Sequence, residues 1–173
     1  MVNGYFLSID PGAVSGAYAL FFAGKPVKVG DLPVVDGQLD GAELGRMVAE
    51  LTRMVAGLEL EGVVVERVSS MPKQGVASTF KFGMAVGIIH GVVLANEVPL
   101  HLVTPGTWKR HFRLTGTDKD AARALAIRLW PGMQGLARKK DQGRADALLM
   151  GRYFLDLNDP ANSRPGWANK EAS

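Results

Sequence analysis

The order of its β-forming and helical segments is the feature that most constrains the fold of this chain. Three β-rich runs, "YFLSI", "GAYALFFAG" and "KPVKVGDLPVV", follow one another with turn-forming Gly, Pro and Asp residues between them. This pattern predicts consecutive antiparallel strands. Beyond residue 40, helices alternate with strands, which is typical of parallel strands joined by crossovers. The sequence therefore predicts an α/β fold: a mixed five-stranded sheet, three antiparallel strands then two parallel, flanked by helices on both faces.

The later elements follow from periodicity. Apolar residues at spacings of three and four predict an amphipathic helix from Asp40 to about Ala56. "LEGVVVERV" is a buried strand that ends at Glu66, and "PLHLVTP" is a fifth strand. A long helix separates these two strands, and three helices follow, in "GTWKRHF", "TDKDAARALAIRLW" and "GRADALLMGRYFL". We predict one domain over residues 1–155 and a flexible tail over residues 156–173.

The composition excludes several classes of protein. A chain of 173 residues without cysteine has no disulfide, no thiolate chemistry and no cysteine-based zinc site. The first residues lack the basic and apolar regions of a secretory signal, so we expect an intracellular, cytoplasmic protein. The most apolar segment, Phe82–Ala95, has 14 residues, short of the roughly 18 to 20 that span a bilayer. It predicts a buried helix.

The long helix, predicted from about Val76 to Glu97, carries glycine at every fourth position. Gly83, Gly87 and Gly91 form one smooth face along it. Such a face allows another backbone to approach closely. Two interpretations stay open from these residues alone: tight packing on the sheet, or helix pairing across a dimer.

Charge is unevenly distributed along the chain. Between His101 and Arg152 there are 11 Lys and Arg residues against 4 Asp and Glu, whereas the whole chain carries a net charge of +3. This C-terminal third is the predicted contact surface for a polyanion. The alternative is a set of solvated helix faces.

Three acidic residues stand where a sheet can bring them together. Asp10 ends the first strand, Glu66 ends the fourth, and Asp146 opens the last helix. If the two strands are neighbours, the first two carboxylates meet, and like charges that close are unfavourable unless a cation holds them. Oxygen ligands suit Mg²⁺ or Mn²⁺. Each acid also has a structural interpretation: a turn former, a partner of Arg67 or a lysine, and a helix N-terminal acid, respectively.

Four blocks of sequence, in this order, resemble the RuvC-type Holliday junction resolvases, especially their phage relatives, within the RNase H-like nuclease superfamily. The blocks are "SIDPGAVSGAYAL", "VVVERV", "TPGTWKRHFRLTGTDKDAARALAIRL" and "KKDQGRADALL". The resemblance extends from about Tyr5 to Leu155. It implies an RNase H-like fold, a homodimer, and metal-dependent cleavage of branched DNA by four carboxylates. Asp10, Glu66 and Asp146 match the family's acids of the first strand, the fourth strand and the final helix.

The fourth acidic position departs from the family pattern. It usually lies about three residues before the last aspartate, where this chain has Gly143 and Gln142. On a helix, Asp141 and Asp146 would lie roughly 140° apart, so Asp141 reaches the same site only from the loop or cap before the helix. We predict Asp141 as the fourth metal ligand. An N-cap or a solvent-exposed acid is the alternative.

Basic and aromatic residues complete the predicted site. Lys109 and Lys119 resemble the basic residues that the family places near the scissile phosphate, where an ammonium group neutralises charge developing in the transition state. Surface lysines are the alternative. Phe80 is the candidate for stacking on an unpaired base, with core packing as the alternative. The predicted DNA contacts are Lys73, Gln74, Phe80, Lys81, Lys109, Arg110, Lys119, Lys139 and Lys140.

These features predict a dimeric, Mg²⁺-dependent endonuclease, with Mn²⁺ as a substitute, that nicks two strands of a four-way DNA junction. The homodimer is expected to form through the Val76–Glu97 helix, and no membrane contact is expected. The resemblance implies water attack that leaves a 5′-phosphate and a 3′-hydroxyl. The alternatives are a related nuclease for flaps or RNA–DNA hybrids, and a non-catalytic DNA-binding module. An ATPase that opens with a similar strand and acid is disfavoured, because such enzymes need two domains of this kind.

Overall fold

A computed structural model of the chain describes residues 4–14, 16–53, 59–67, 75–118 and 120–158. Within these ranges the strands are β1 (Tyr5–Asp10), β2 (Ala17–Phe22), β3 (Lys25–Asp31), β4 (Val34–Val35), β5 (Gln38–Leu39), β6 (Leu60–Glu66) and β7 (Leu100–Val103). The helices are α1 (Gly41–Arg53), α2 (Val76–Ala95), α3 (Pro105–His111), α4 (Ala121–Leu129) and α5 (Gln142–Asn158), and a 3₁₀ turn at Lys139–Asp141 precedes α5.

Five strands form one mixed sheet in the order β3-β2-β1-β6-β7. β1 is antiparallel to β2, and β2 to β3, whereas β1 is parallel to β6, and β6 to β7. The predicted sheet is therefore confirmed. Its central strand is β1, and because both faces of the sheet carry a hydrophobic core, four consecutive residues of that strand are buried.

A small hairpin of β4 and β5 lies outside this sheet, and the sequence pattern does not predict it. The predicted third strand, which ran through Val35, therefore ends earlier, because β3 stops at Asp31 and Val34–Val35 belongs to the hairpin. Its turn residues, Asp36 and Gly37, both have positive φ, at 50° and 71°, as tight type I′ hairpins require. The Asp-Gly dipeptide is the available signal, but two-residue strands carry no alternation to detect.

Helices cover both faces of the sheet, so each face has its own hydrophobic core. On one face, α3, α4 and α5 enclose a cluster that contains Trp108 and Leu148. On the other face, α1 and α2 cover a cluster that contains Ile89. Neighbouring residues of β1 divide between the two cores, Phe6 in the first and Leu7 in the second, as the alternation of a strand requires.

Helix α2 is far less buried than predicted. Its buried residues are Ala85, Ile89 and Val93, which form one stripe. By contrast, Phe80 is 67% exposed and Leu94 is 61% exposed. Among the described residues, α2 is the one helix whose length and composition would suit a membrane span. The prediction of a buried helix is wrong for most of its surface, because its apolar residues surround the helix and only one side meets the core.

Helix α5 packs against the centre of the sheet and has different bounds from those predicted. It begins at Gln142, so Asp146 lies in its second turn rather than at its start. It continues through Asp156, which is 3% exposed, to Asn158, so the predicted domain boundary falls inside this helix. Residues 159–173, the rest of the predicted tail, lie outside the described residues.

Gly151 allows α5 to lie close to the sheet. A Cβ at this position would be 2.4 Å from the Phe21 ring and 2.9 Å from Ser8 Cβ. We predict that Gly151→Ala lowers the free energy of unfolding by about 1 to 3 kcal/mol, the usual range for an overpacked core. Urea denaturation measures this change.

Gly45→Ala on α1 is the matched control, because nothing beyond the adjacent backbone of its own helix lies within 4 Å of its Cβ position. Alanine there should stabilise the helix by up to about 1 kcal/mol. Equal stabilisation by both substitutions would contradict the close packing of α5.

Candidate active site

Two acidic residues meet where the central parallel strands end. Ile9 of β1 pairs with Val65 of β6, and Asp10 and Glu66 are the next residues of these strands. Because parallel neighbours end at the same edge of a sheet, both carboxyl groups start from this edge. The two strands are neighbours, as the predicted convergence of the acids requires.

Helix α5 brings Asp146 to the same region. Burial raises the pKa of Asp10 well above its usual value, and the charges of Glu66 and Asp146 raise it further, whereas Lys109 lowers it. Burial also raises the pKa of Asp146 to about 6, against the effect of Lys109. These three acids, the acidic trio, therefore share one poorly solvated region in which like charges disfavour ionisation.

One oxygen of Asp146 has no partner. Its Oδ1 is buried and, in the part of the chain that the structure describes, accepts no hydrogen bond. An unpaired buried polar group costs about 1 to 3 kcal/mol. This atom therefore gains from a proton or a cation placed beside it.

Glu66 is held by a tryptophan. The Nε1–H of Trp108 donates a hydrogen bond of 2.9 Å to Glu66 Oε1. Burial raises the pKa of Glu66, and the Trp108 hydrogen bond and the charge of Lys109 oppose the rise. Donors of this kind stabilise the charged carboxylate in a region where burial disfavours it.

Lys109 is the basic residue beside the acidic trio. Its Nζ lies 5.1 Å from the centre of the Trp108 ring. Its charge lowers the pKa of all three acids. The structure thus brings together four of the predicted site residues: Asp10, Glu66, Asp146 and Lys109.

Gly143 lies one turn before Asp146 on α5 and faces Asp10. A Cβ at position 143 would be 3.2 Å from Asp10 Oδ2 and 3.4 Å from Ala17 Cβ. A larger side chain would therefore compete with the carboxyl group of Asp10 for space. The resemblance places a fourth acid near this position of the helix. In this chain Gly143 has no side chain there, and the carboxyl group of Asp10 lies beside it.

The structure pairs Asp141 with arginines. Its carboxylate is 2% exposed and accepts hydrogen bonds from the backbone N–H and the Nη2 of Arg138, at 2.8 and 2.7 Å. Nη1 of Arg144 lies 3.6 Å from the same carboxylate. The hydrogen bond from the Arg138 guanidinium lowers the pKa of Asp141 to about 2. Both oxygens are engaged, so metal coordination by Asp141 would require these bonds to break.

Arg144 also fixes the start of α5 to the edge of the sheet. Its Nε and Nη2 donate to the carboxylate of Asp31 on β3, at 2.7 and 2.6 Å. Its Nη1 donates to the carbonyl of Gly135 at 3.2 Å. The helix that carries Asp146 is therefore held at its first turn by residues from two other segments.

The acidic trio fits a hard divalent cation by the chemistry of its donors. It offers only oxygen atoms, which Mg²⁺ and Mn²⁺ prefer, and a cation would supply the partner that Asp146 Oδ1 lacks. Across the described ranges, no three acidic or histidine side chains are drawn into a closed ligand cluster. The three acids therefore interact electrostatically with one another but do not form a closed set of metal ligands.

The remaining predicted residues are placed as follows. Phe80 is 67% exposed, so core packing does not explain it. The cations Lys81, Arg110, Lys139 and Lys140 are exposed. Lys73, Gln74 and Lys119 lie outside the described residues.

A cavity of about 300 Å³ opens beside the acidic trio. Lys109, Gln142 and Asp146 form one wall, and the loop at residues 114–118 forms another. A larger cavity of about 640 Å³ lies between β3 and residues 129–134, but no acidic side chain lines it. The chemistry therefore favours the smaller cavity as the functional one.

Trp108 and Gly143 are the site residues that the sequence pattern does not single out for a role. A tryptophan in an apolar pattern predicts core packing, and nothing in the spacing links it to an acid 42 positions away. Gly143 is visible only as a departure from the family pattern. Its contact with Asp10 depends on how α5 docks on the sheet.

The sheet order, with helices on both faces, is that of the RNase H-like fold. Among solved structures, Thermus thermophilus RuvC is similar to this chain, with a TM-score of 0.59 and 18% identity over 87% of this chain and 95% of that one. T. thermophilus RuvC in complex with Holliday junction substrate gives a TM-score of 0.57 and 19% identity over 88% and 95% of the two chains. The yeast mitochondrial Holliday junction resolvase Ydc2 gives a TM-score of 0.48 and 13% identity over 87% and 77%.

No protein-family model matches the sequence, and no curated protein matches it significantly. The two T. thermophilus structures therefore establish the fold, and the predicted RNase H-like architecture is confirmed. They do not bear on the resemblance to phage members, which stays a prediction.

We predict that Asp141 contributes acid-sensitive stability. Its pKa in the folded protein, about 2, lies below the unfolded value of about 3.9. Its contribution is therefore fully present above about pH 4 and is lost as the pH falls toward 2. Asp141→Asn should lower the melting temperature at pH 7. Between pH 4 and pH 2, however, the melting temperature of the variant should fall by less than that of the wild type.

Thermal unfolding followed by circular dichroism at pH 7, 4 and 2.5 measures this difference. Asp36→Asn, on the exposed hairpin turn, is the control. If both variants showed the acid sensitivity of the wild type, the ion pair with Arg138 would not contribute.

Proposed function

We propose that this chain is a metal-dependent endonuclease that cuts branched DNA, with four-way junctions as its main substrate. The observation that carries the proposal is the acidic trio, three poorly solvated carboxyl groups with Lys109 beside them. Such oxygen donors suit a divalent ion in phosphodiester hydrolysis. The Holliday junction bound in the T. thermophilus RuvC complex, whose fold this chain shares, supports the choice of substrate.

Asp10, Glu66 and Asp146 would hold the ion, which we propose to be Mg²⁺, with Mn²⁺ as a substitute. When bound, such an ion polarises a phosphodiester and lowers the pKa of a water molecule. Asp141 does not belong to this proposed ligand set, because Arg138 engages both of its oxygens.

Lys109 would stabilise charge on the phosphate. The Trp108 ring supports the ammonium group of Lys109 at the rim of the trio. Among the described residues, Lys109 forms no direct ion pair. The charge is thus available to a phosphate oxygen in the transition state. Water attack would leave a 5′-phosphate and a 3′-hydroxyl, as the sequence resemblance implies.

The exposed cations would bind the DNA backbone. These are Lys81, Arg110, Lys139 and Lys140. Lys73, Gln74 and Lys119, which lie outside the described residues, are proposed as further DNA contacts. Phe80 is proposed to stack on an unpaired base, which its exposure permits. Salt-sensitive binding is expected from such contacts.

A homodimer through α2 would supply two sites related by a two-fold axis, which suits paired nicks in a junction. At 100° per residue, Met84, Gly87, Gly91 and Leu94 share one side of α2, opposite the buried stripe. We call this side the outer face. It is apolar and smooth, and nothing beyond the adjacent backbone of α2 lies within 4 Å of a Cβ position at either glycine. A second copy of α2 is the proposed partner.

Asp10→Asn and Glu66→Gln should each reduce Mg²⁺-dependent nicking of a four-way junction by about 100-fold or more, the scale of losing a major electrostatic contributor. Binding of the junction in a gel-shift assay should survive, because the basic surface is unchanged. Glu43→Gln, exposed on α1, is the matched control and should nick normally.

The same assay on four-way, three-way, flap and RNA–DNA hybrid substrates tests the substrate. Preferential cutting of flaps or hybrids would replace the junction as the main substrate. Junction binding by the wild type, without cleavage under any divalent ion, would indicate a non-catalytic binding module.

Met84→Glu should weaken the dimer, because it places an unpaired charge on the outer face. We expect the dissociation constant to rise at least about 10-fold, measured by sedimentation velocity over a concentration series. Leu157→Glu, on α5 and 62% exposed in the wild type, is the control. A wild type that stays monomeric at all concentrations would refute the dimer.

A further inference from the structure

We propose that Trp108 is a positioning residue that holds an acid and a base of the site in fixed relation. It binds Glu66 with the edge of its indole ring and supports Lys109 on the face of the same ring. The inference rests on the proposed function, since it concerns how the acidic trio receives a divalent cation.

The indole ring is immobilised by packing. Trp108 is 0% exposed and is among the largest fully buried side chains. Its helix, α3, begins at Pro105, directly after β7, and β7 lies beside β6 in the sheet. Strand β7, beside the strand that carries Glu66, therefore positions α3 and its Trp108. Packing in the hydrophobic core around Trp108 fixes the orientation of the indole ring.

The hydrogen bond between Trp108 and Glu66 constrains both partners. An indole has one donor and no acceptor, and a buried donor left unpaired is costly. Glu66 Oε1 meets this requirement at 2.9 Å. Among the described residues, Glu66 Oε2 accepts no hydrogen bond, so the indole occupies one oxygen and leaves the other for a cation.

The ring face restrains Lys109. With Nζ 5.1 Å from the ring centre, the ammonium group lies within the range of a cation–π interaction. The neighbouring acids attract the ammonium group of Lys109, so without the ring it would form an ion pair with the trio. Trp108 thus keeps this ammonium group near the acids but out of the position of a metal ion.

The test compares Trp108→Phe, which removes the N–H and keeps an aromatic face, with Trp130→Phe as the matched control. Trp130 packs on the same core but lies at the larger cavity, away from the trio. Isothermal titration with Mn²⁺ in the absence of DNA should show about 10- to 100-fold weaker binding for Trp108→Phe, the usual effect of losing a residue that orients a ligand. Trp130→Phe should bind Mn²⁺ as the wild type does.

Nicking kinetics add a second readout. Trp108→Phe should lower kcat and leave KM for the junction within about two-fold, because the DNA contacts are unchanged. Equal Mn²⁺ affinity for the two tryptophan variants would overturn the role of Trp108. If Mn²⁺ binds as expected but the wild type cuts no DNA, the proposed function fails and the positioning role stands. A wild type that binds no divalent ion overturns both.

If Trp108→Phe does not fold, the wild type itself provides the measurement. The sequence has three tryptophans, so the indole N–H resonance of Trp108 is assigned by elimination with Trp130→Phe and Trp167→Phe. Addition of Mg²⁺ should shift this resonance, since its acceptor is a ligand of the ion. Saturating Mg²⁺ that leaves it unmoved would overturn the proposal.

Discussion

The structure depends on one unfavourable arrangement, the burial of three carboxyl groups at the end of a pair of parallel strands. Burial raises the pKa values of all three acids, and repulsion from neighbouring acids raises those of Asp10 and Asp146 further, so the fold must hold these groups where they are least stable as anions. Lys109 and the indole of Trp108 offset part of that cost. Perturbed acids in a cleft are typical of functional sites, and here the surrounding elements keep them in place.

Two glycines of α5 show how the helix reaches the sheet. Gly143 lies against the carboxyl group of Asp10, and Gly151 lies against Phe21 and Ser8. They are eight residues apart, so both face the sheet on the same side of the helix. Arg144, between them, holds the helix start to Asp31 and Gly135. The close approach and the ion pair together bring Asp146 to the strand ends.

Sequence patterns predict the strands and helices of this chain better than they predict its side-chain contacts. The three antiparallel strands and the two later strands follow from their apolar runs and the turn residues between them. The pairing of β1 with β6, on which the meeting of Asp10 and Glu66 depends, is only a condition in the sequence and is supplied by the structure. The exposed outer face of α2 does not follow, since a helix that is apolar all round looks buried from sequence. The partners of Asp141 and Glu66 depend on Arg138 and Trp108 reaching them in three dimensions, and no spacing rule encodes such hydrogen bonds.

The ion pair of Arg144 with Asp31 joins residues 113 positions apart. The acidic trio combines residues of β1, β6 and α5, the last helix. A ribosome that has made the sheet strands has therefore made only two of the three acids. The site comes into existence only when α5 has emerged and docked, because long-range contacts of this kind form late. A growing chain that has not reached residue 146 therefore lacks the third acid of the trio.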